Sequence, residues 1–376
     1  MFQEIFEKEI ISRQKNQKFI DYIENCRNNK FNSSNISFFY NNFKYPKISV
    51  VTPVHNKELY IDILMCSLEN QSLKKVEFIF IDDFSTDNSA KKIKQYMKKD
   101  KKIRLINNYK NKGVFHSRYL GTIFSRGIYI YFLDPDDLVY DILKEAYEAA
   151  IKEELDIVEF LFCEYINGVY KRGTTYNLGP NYIRRNDQVK YYMFLNSFEN
   201  KKYIFAHAFL WDKIIKREIV LKAYSEIGSF YLNIHLIVWD DTLLSFFIFR
   251  NAKSHKYVNK FGYSWNLGNS DSISSISNSM NLSKIVNKRF HDIFTYLKII
   301  YEKTEDIEID RKCIITVWNK LYTFFHGKLK YLTDGFELID SVFKLYMSIK
   351  YLSADEQVRI NEYYNSFLEI KKKIYK

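Results

Sequence analysis

Short apolar runs alternate with amphipathic stretches between residues 47 and 140, and this is the strongest structural pattern in the chain. β-branched and aromatic runs of four to six residues predict strands at 48–51, 76–81, 103–106 and 128–133. The stretches between these runs have helical spacing, which predicts helices at 59–68, 89–99 and 114–125. Alternating strands and helices form a parallel sheet with right-handed crossovers, and helices on both faces explain strands that are apolar throughout. The pattern predicts an α/β fold whose mainly parallel sheet is flanked by helices.

The segments on either side of this region carry weaker patterns. Residues 5–23 place isoleucine and phenylalanine at helical spacing, and residues 28–37 are rich in Asn and Ser, which favours a loop. We therefore expect a helical N-terminal extension at 1–45, the main α/β domain at 46–275 and a mainly helical C-terminal region at 276–376.

Three of the predicted strands end in polar motifs. Ligands of open α/β sheets bind outside the carboxyl ends of the strands, so polar residues at those ends are candidates for a site. One polar strand end is an ordinary loop, whereas three on one edge of a sheet indicate a binding site. The motifs are Thr52-Pro53-Val54-His55-Asn56, Asp82-Asp83-Phe84-Ser85-Thr86-Asp87 and Asp134-Pro135-Asp136-Asp137.

The acidic run that contains Asp134, Asp136 and Asp137 favours a metal ion. Carboxylates crowded this closely repel one another unless a cation shares them. Mg²⁺ and Mn²⁺ prefer oxygen ligands and also bind the oxygens of a diphosphate. A solvated acidic turn is the alternative, because Pro-Asp-Asp is also common in turns. The position of the run beside two other polar strand ends favours the metal.

The other motifs suggest contacts to a nucleotide. Asp83 lies at a strand end, where it can accept a hydrogen bond from the N–H of a base such as uracil. Arg118 lies in a predicted helix that follows Gly113, and its guanidinium and the helix N-terminus could hold a diphosphate. An ordinary glycine turn with a surface arginine is the alternative. Helix capping accounts for most of the polar residues after Asp83, which are Ser85, Thr86, Asp87 and Ser89.

In the order and spacing of these motifs, residues 47 to about 140 resemble the nucleotide-binding half of the inverting glycosyltransferase family 2, which has the GT-A fold. The resemblance implies that Pro53 and His55 line a pocket for the base, and that Asp83 contacts the base. Ser85 is counted with these donor-binding residues. Three positions depart from the family pattern: His55 replaces Tyr, Phe84 replaces Gly and Tyr119 replaces Asn.

The resemblance also assigns roles to the acidic run and to Arg118. Asp134 and Asp136 are implied to contact the donor, and Arg118 is counted with them. Asp137 is implied as the main ligand of the divalent metal, with Asp136 assisting.

Two motifs in the second half of the chain resemble the same family more loosely. Residues 209–215 resemble a Trp-x-Lys-Leu segment of bacterial members, and residues 238–246 resemble the segment that supplies the catalytic base. Asp241 is thereby implied as the general base, with Asp240 in place of the usual Glu. Capping of an apolar helix is the alternative for these two acids. Residues 263–266 and 270–274 resemble the loop that closes over the donor diphosphate, but they lack the basic residue often found there.

Charge and composition bear mainly on partners and compartment. The net charge of +12 favours anionic partners, although a codon bias toward Lys, Asn, Ile, Tyr and Phe explains the same excess. Four widely separated cysteines without C-x-x-C spacing argue against a zinc site or a disulfide scaffold. The N-terminus lacks the pattern of a signal peptide, and the longest apolar runs are too short to cross a bilayer. We therefore expect a cytoplasmic protein.

Other basic segments leave their partners open. The lysine-rich stretch at 91–102 lies on a predicted helix and is explained as a solvated face, so we expect no nucleic acid partner. Lysines at 371–373 leave open a peripheral contact with the inner face of an anionic membrane, where lipid-linked acceptors lie. A dimer surface or plain tail charge explains these lysines equally well.

The expected activity is the transfer of a sugar from a nucleotide sugar, a UDP-sugar by resemblance, to a hydroxyl of a glycan or lipid-linked acceptor. The expected mechanism is a single inverting displacement that depends on Mn²⁺ or Mg²⁺. A sugar-phosphate nucleotidyltransferase is one alternative, but the chain lacks a Gly-rich loop after its first strand. An inactive nucleotide-sugar-binding module is the other, and the joint presence of Asp83, Asp137 and Asp241 argues against it.

Overall fold

The structure, a computed structural model, describes residues 46–166, 169–172, 183–194, 209–233, 236, 240–266, 282–304, 336–349 and 354–374. The predicted N-terminal extension and the segment 270–274 lie outside the described residues. The strands are β1 Ile48–Val54, β2 Val76–Asp82, β3 Ile103–Asn107, β4 Tyr129–Phe132, β5 Leu138–Val139, β6 Ile157–Ile166, β7 Val169–Arg172, β8 Arg184–Arg185, β9 Lys213–Lys216 and β10 Ser254–Asn266.

Helices connect and cover these strands. A short 3₁₀ helix at Tyr231–Asn233 precedes α7. The α-helices are α1 Ile61–Glu69, α2 Ser89–Lys99, α3 Val114–Phe124, α4 Leu143–Lys152, α5 Asp187–Phe194, α6 Arg217–Ile227, α7 Asp240–Asn251, α8 Leu282–Lys303, α9 Phe336–Met347 and α10 Ala354–Ile374.

One sheet runs through the described residues in the order β3-β2-β1-β4-β9-β6-β10-β5, with β7 beside β6 and β8 beside β10. Strands β1 to β4 are parallel, and Ile48 pairs with both Val76 and Tyr129. The second half is mixed, because β9 runs antiparallel to β4 and β6, while β6 and β10 are parallel. The predicted α/β class with flanking helices is confirmed, and the parallel arrangement holds most strictly in the first half.

Burial of both sheet faces explains the continuous apolar runs of the first strands. Every residue of β1 and of β2 is buried. Val50 and Val51 point to different apolar clusters, as the alternation of side chains along a strand requires. Helix α1 covers one face with side chains at helical spacing: Ile61, Leu64, Met65 and Leu68.

The C-terminal helices share a core with the helices beside the sheet. Tyr296 of α8, Phe343 of α9 and Phe367 of α10 are fully buried in the cluster that also contains Phe247 of α7. Residues 47–376 therefore form one compact unit. No described helix has both the length and the apolar character needed to span a membrane.

Candidate active site

The polar loops after β1 and β2 lie side by side, because Val54 and Asp82 are register partners at the ends of these parallel strands. Nδ1 of His55 donates a hydrogen bond to the carbonyl oxygen of Asp83 at 2.9 Å. The side-chain amide of Asn111, in the loop after β3, reaches Nε2 of His55 at 3.3 Å. The loops after β1, β2 and β3 therefore meet at one edge. The third motif that the sequence predicts there, 134–137, is joined to the loop after β1 by the ion pair of Lys57 with Asp136 at 2.8 Å.

Further hydrogen bonds fix the first two loops to each other. The backbone N–H of Asn56 donates to the hydroxyl of Ser85 at 3.0 Å, and the N–H of Thr86 donates to the side chain of Asn56 at 2.8 Å. Asp87 accepts from the N–H groups of Glu58 and Ser89 at 3.0 and 2.9 Å. The structure thus gives Ser85 a loop-joining role and places Asp87 at the start of α2. Donor contact by Ser85 remains a prediction.

Asp83 organises the turn that leads into α3. It is 3% exposed. One carboxylate oxygen accepts from the side chain of Asn108 at 2.7 Å and from the N–H of Lys112 at 2.8 Å, while the other accepts from the N–H of Gly113 at 2.7 Å. Gly113 has a φ of 88°, a conformation that favours glycine. A carboxylate has about four acceptor sites, so a contact to a base remains compatible with these three bonds.

Asp137 is the most buried carboxylic acid of the acidic run, with 5% exposure. The hydroxyl of Tyr263 donates to one of its oxygens, and the N–H of Asn266 donates to the other at 2.7 Å. Burial, together with the charges of Asp136 and Asp134, raises the pKa of Asp137 well above its ordinary value. Both partners come from β10, which the sequence marked only as part of a loop near the donor.

Arg118 joins the acidic run to helix α7. One terminal nitrogen donates to Asp134 at 2.7 Å and the other to Asp240 at 2.5 Å. Arg118 is 5% exposed. Burial disfavours its charged form, but Asp240 and Asp134 outweigh burial and raise its pKa. The structure therefore places the guanidinium between two carboxylates. Its predicted contact with a diphosphate has no support from this geometry and stays a prediction.

Asp240 and Asp241 lie in the first turn of α7, which begins at Asp240. One oxygen of Asp241 accepts the N–H of Thr242 at 2.7 Å. Burial and the neighbouring charge of Asp240 raise the pKa of Asp241 to about 7. A carboxylate with this pKa can accept a proton near neutral pH, which is the property a general base needs.

The acidic run fits a divalent cation that takes part of its ligand shell from a substrate. Within the described ranges, no group of three or more His, Cys, Asp or Glu residues is arranged to hold a metal ion by itself. The available donors are carboxylate oxygens of Asp136 and Asp137, which suit Mg²⁺ or Mn²⁺. Burial and the nearby charges of Asp136 and Asp134 raise the pKa of Asp137, and a bound cation would favour its ionised form.

Pro53 lies within β1 at the same edge, paired with Ile81. It is therefore placed one residue before the strand end from which His55 follows. Base contact by Pro53 and His55 remains a prediction. Sequence reasoning missed Lys57 and Asn108, and it named Tyr263 only as part of a loop near the donor, because only the folded chain brings each of them to a carboxylate of this edge.

The fold and the acidic strand ends together define a GT-A-type α/β protein. Residues 49–211 match the family model described as Glycosyl transferase family 2. Among solved structures, residues 1–349 of TarS from S. aureus align with a TM-score of 0.61 at 16% identity, covering 87% of this chain and 90% of that one. This likeness concerns the fold.

The curated relatives that this chain matches are also named as glycosyltransferases. A cholesterol galactosyltransferase of Borreliella burgdorferi is 29% identical over 64% of this chain and 65% of its own length. The putative glycosyltransferase EpsH of Bacillus subtilis is 29% identical over 57% of this chain and 58% of its own length. An uncharacterised glycosyltransferase of Haemophilus influenzae is 35% identical over 35% of this chain and 53% of its own length. The chain thus spans about half to two thirds of these relatives. The matched region is therefore similar to family 2 glycosyltransferases.

Proposed function

We propose that this protein transfers a sugar from a nucleotide sugar to a hydroxyl of a glycan or lipid-linked acceptor. One observation carries the proposal: Arg118 joins the strand-end acids to the helix turn that holds Asp241, a carboxylate with a pKa of about 7. Arg118 thereby links the proposed donor-binding edge, through Asp240, to the helix turn that carries a base suited to neutral pH.

The donor in this proposal is a UDP-sugar. Pro53, His55, Asp83 and Ser85 lie at or next to the ends of β1 and β2, where a base would bind. TarS has been crystallised in complex with UDP and with UDP-GlcNAc, and these structures align with TM-scores of 0.58 and 0.57. The shared fold and those ligands support uridine as the nucleoside.

The proposed reaction is a single inverting displacement. Asp241 takes the proton of the acceptor hydroxyl while the acceptor oxygen bonds to the anomeric carbon from the face opposite the diphosphate. The bond from the anomeric carbon to the diphosphate oxygen breaks, and the nucleoside diphosphate leaves with the electron pair. Asp240, held by Arg118, fixes the turn that carries Asp241.

A divalent cation, Mn²⁺ or Mg²⁺, would be held by Asp137 with assistance from Asp136. When bound, it would neutralise charge on the departing diphosphate. The protein itself keeps Asp137 in place through Tyr263 and Asn266.

The test is a panel of nucleotide sugars with Mn²⁺ and a set of acceptors, followed by detection of the released product. Release of nucleoside diphosphate with transfer supports the proposal, whereas release of pyrophosphate would indicate a nucleotidyltransferase. With an active donor, Asp241→Asn should lower the transfer rate by about 10²- to 10⁴-fold. Asp187→Asn is the control, because Asp187 lies on α5 with a side chain 72% exposed. A folded Asp241→Asn variant with the wild-type rate would remove Asp241 as the base.

The proposed acceptor is a lipid or a polysaccharide. A relative named for cholesterol and another named for teichuronic acid biosynthesis support lipid and polysaccharide acceptors alike. We place the enzyme in the cytoplasm, in peripheral contact with an anionic membrane face. Co-sedimentation with anionic liposomes at low salt tests the contact, and replacement of Lys371, Lys372 and Lys373 by Gln should weaken it. An unbound wild-type protein would exclude it.

A further inference from the structure

Lys57 forms an ion pair with the acidic run from the loop after β1. Its Nζ lies 2.8 Å from an oxygen of Asp136, and the two side chains are 17% and 18% exposed. The pair joins residues 79 positions apart in the chain. A cation is thus already present at the carboxylate that is proposed to assist the metal.

A hydrogen bond holds the backbone of Lys57, and its ammonium group lies near an aromatic ring. Its N–H donates to the hydroxyl of Ser89 at 2.8 Å. The ammonium lies 5.4 Å from the ring centre of Tyr60, within the range of a cation–π contact. With its backbone held, the side chain can reorient around Asp136 without movement of the loop.

Lys57 lies between the expected base pocket and the acidic run of the proposed donor site. Two residues earlier, His55 contacts the carbonyl of Asp83 at the expected base pocket. At the far end of the Lys57 side chain is Asp136 of the acidic run. The diphosphate of a nucleotide sugar connects base and ribose to the sugar, so it must pass between these two places.

A diphosphate bound at this edge needs a positively charged partner, because the edge is already rich in carboxyl groups. Asp134, Asp136, Asp137 and Asp240 contribute carboxyl groups, and Arg118 has both terminal nitrogens on two of them. A diphosphate adds further negative charge. An ammonium has three N–H donors, so Lys57 can bind a phosphate oxygen in addition to, or in place of, a carboxylate.

Resting on the proposed function, we propose that Lys57 binds the donor diphosphate, and that it exchanges Asp136 for a phosphate oxygen when a divalent cation binds Asp136. Lys57 then has two states: in the first it neutralises Asp136, and in the second it neutralises the donor. Lys57 and the metal ion compete for Asp136 in the absence of nucleotide and cooperate on the diphosphate in its presence.

Calorimetry on the full chain tests this with UDP plus Mn²⁺ and with Mn²⁺ alone, while ligand-observed NMR measures uridine. For Lys57→Met we expect UDP affinity to fall about 10- to 100-fold, the range of a lost charge-assisted hydrogen bond. Uridine should bind as in wild type, because it lacks phosphate. Mn²⁺ alone should bind at least as tightly, because its competitor is gone. Lys57→Arg should retain most of the UDP affinity.

Lys256→Met is the matched control. Lys256 pairs with Glu153 at 2.6 Å, with side chains 17% and 21% exposed, near the opposite end of β10 from Asn266. This variant should bind all three probes as wild type does. Unchanged UDP affinity in Lys57→Met would overturn the inference, as would a parallel loss of uridine or Mn²⁺ binding, which indicates a loop-stabilising role. A wild-type protein that binds neither UDP nor another nucleoside diphosphate would instead refute the proposed function.

Discussion

Asp241 has a pKa of about 7, raised by burial and by Asp240, and this sets the pH range in which it can accept a proton. Only the ionised carboxylate acts as a base. We therefore predict that kcat/KM for sugar transfer rises about tenfold per pH unit below 7 and levels off above it. Rates from pH 5 to 9 measure the profile. Asp241→Asn should lose this rise together with most of the activity, and a flat wild-type profile would contradict the assignment.

Ionisation of Asp241 should also lower the free energy of unfolding at high pH. The folded-state pKa of about 7 lies above the ordinary 3.8, so the folded protein binds a proton that the unfolded chain releases between these values. Linkage then makes stability fall as pH rises through this window, and the loss persists above 7. Since the side chain is half-buried and partly screened, we predict that Asp241→Asn gains about 1–2 kcal/mol at pH 8.

Urea unfolding at pH 4, 6 and 8 measures this effect of Asp241→Asn. The gain over wild type should be largest at pH 8 and smallest at pH 4, because nearly all of the interval between the unfolded and folded pKa values lies above pH 4. A gain that is independent of pH would show that repulsion from a charged Asp241 is not its cause. A substitution that stabilises the protein but removes activity is expected at a residue that is retained for activity rather than for folding.

Arg118 is the residue whose loss should damage both stability and activity. Arg118→Met leaves two carboxylates without their cation, and breaking a buried ion pair costs about 3–5 kcal/mol. Because Asp134 is 28% exposed, we expect Arg118→Met to lower the free energy of unfolding by about 3 kcal/mol, the lower end of this range. Denaturant unfolding measures the loss. Addition of Asp240→Asn should recover part of it, because one of the two stranded charges is then removed.

A surface ion pair serves as the control for Arg118. Lys260 and Glu145 are 47% and 48% exposed, so Lys260→Met should cost about 0–1 kcal/mol. Equal losses for Arg118→Met and Lys260→Met would mean that the bridge between the acidic run and α7 contributes little.

Helix α3, which carries Arg118, owes its close approach to the sheet to one glycine. A Cβ at Gly121 would lie 2.1 Å from Cγ1 of Val51, a fully buried side chain of β1. Alanine gains about 1 kcal/mol over glycine from helix propensity, but an overlap this large in a packed core costs more. We predict that Gly121→Ala is destabilising by about 1–3 kcal/mol in denaturant unfolding.

Val51→Ala provides the second arm of this experiment. It should cost about 1–3 kcal/mol alone by removing buried methyl groups, yet combined with Gly121→Ala it should cost less than the sum. Additive losses in the double variant would show that the two side chains do not compete for the same space.

The elements that were predictable from sequence are those with local patterns. The runs predicted at 76–81 and 103–106 became Val76–Asp82 and Ile103–Asn107, and the helix at 89–99 became Ser89–Lys99, because these elements are apolar or amphipathic by themselves. The antiparallel insertion of β9 beside β4 was missed. Which strand fills that place depends on packing between distant segments, and no local period records it.

In the candidate site, too, residues that belong to a local sequence pattern were predictable, whereas their distant partners were not. Strand-end acids such as Asp83 and Asp137 stand out in the sequence because polar residues follow apolar runs. Their partners do not, since Asn108 meets Asp83 over 25 positions and Tyr263 meets Asp137 over 126. The sequence also indicated Arg118 for a phosphate, whereas the fold places two carboxylates around it. An arginine beside a glycine turn looks the same in sequence whichever anion it binds.

At the scale of the whole molecule, the proposed site and the C-terminal helices share one core. Helix α7 carries Asp241 and also contributes Phe247 to the cluster that contains Phe343 of α9 and Phe367 of α10. Residues 47–376 form a single compact unit. Ligand binding at the strand edge should therefore stabilise one common unfolding transition rather than a local segment.

We predict that UDP with Mn²⁺ raises the unfolding temperature of the wild-type protein. At a ligand concentration of 100 times Kd the gain is about 2.7 kcal/mol, which is readily measured by scanning calorimetry. Excess chelator should remove most of this gain, because Asp136 and Asp137 would hold the metal ion that neutralises the diphosphate. Adenosine diphosphate with Mn²⁺ is the control for the base, and uridine for the diphosphate. If UDP stabilises equally in chelator, the donor binds without a divalent cation, and Lys57 becomes the expected partner of the diphosphate.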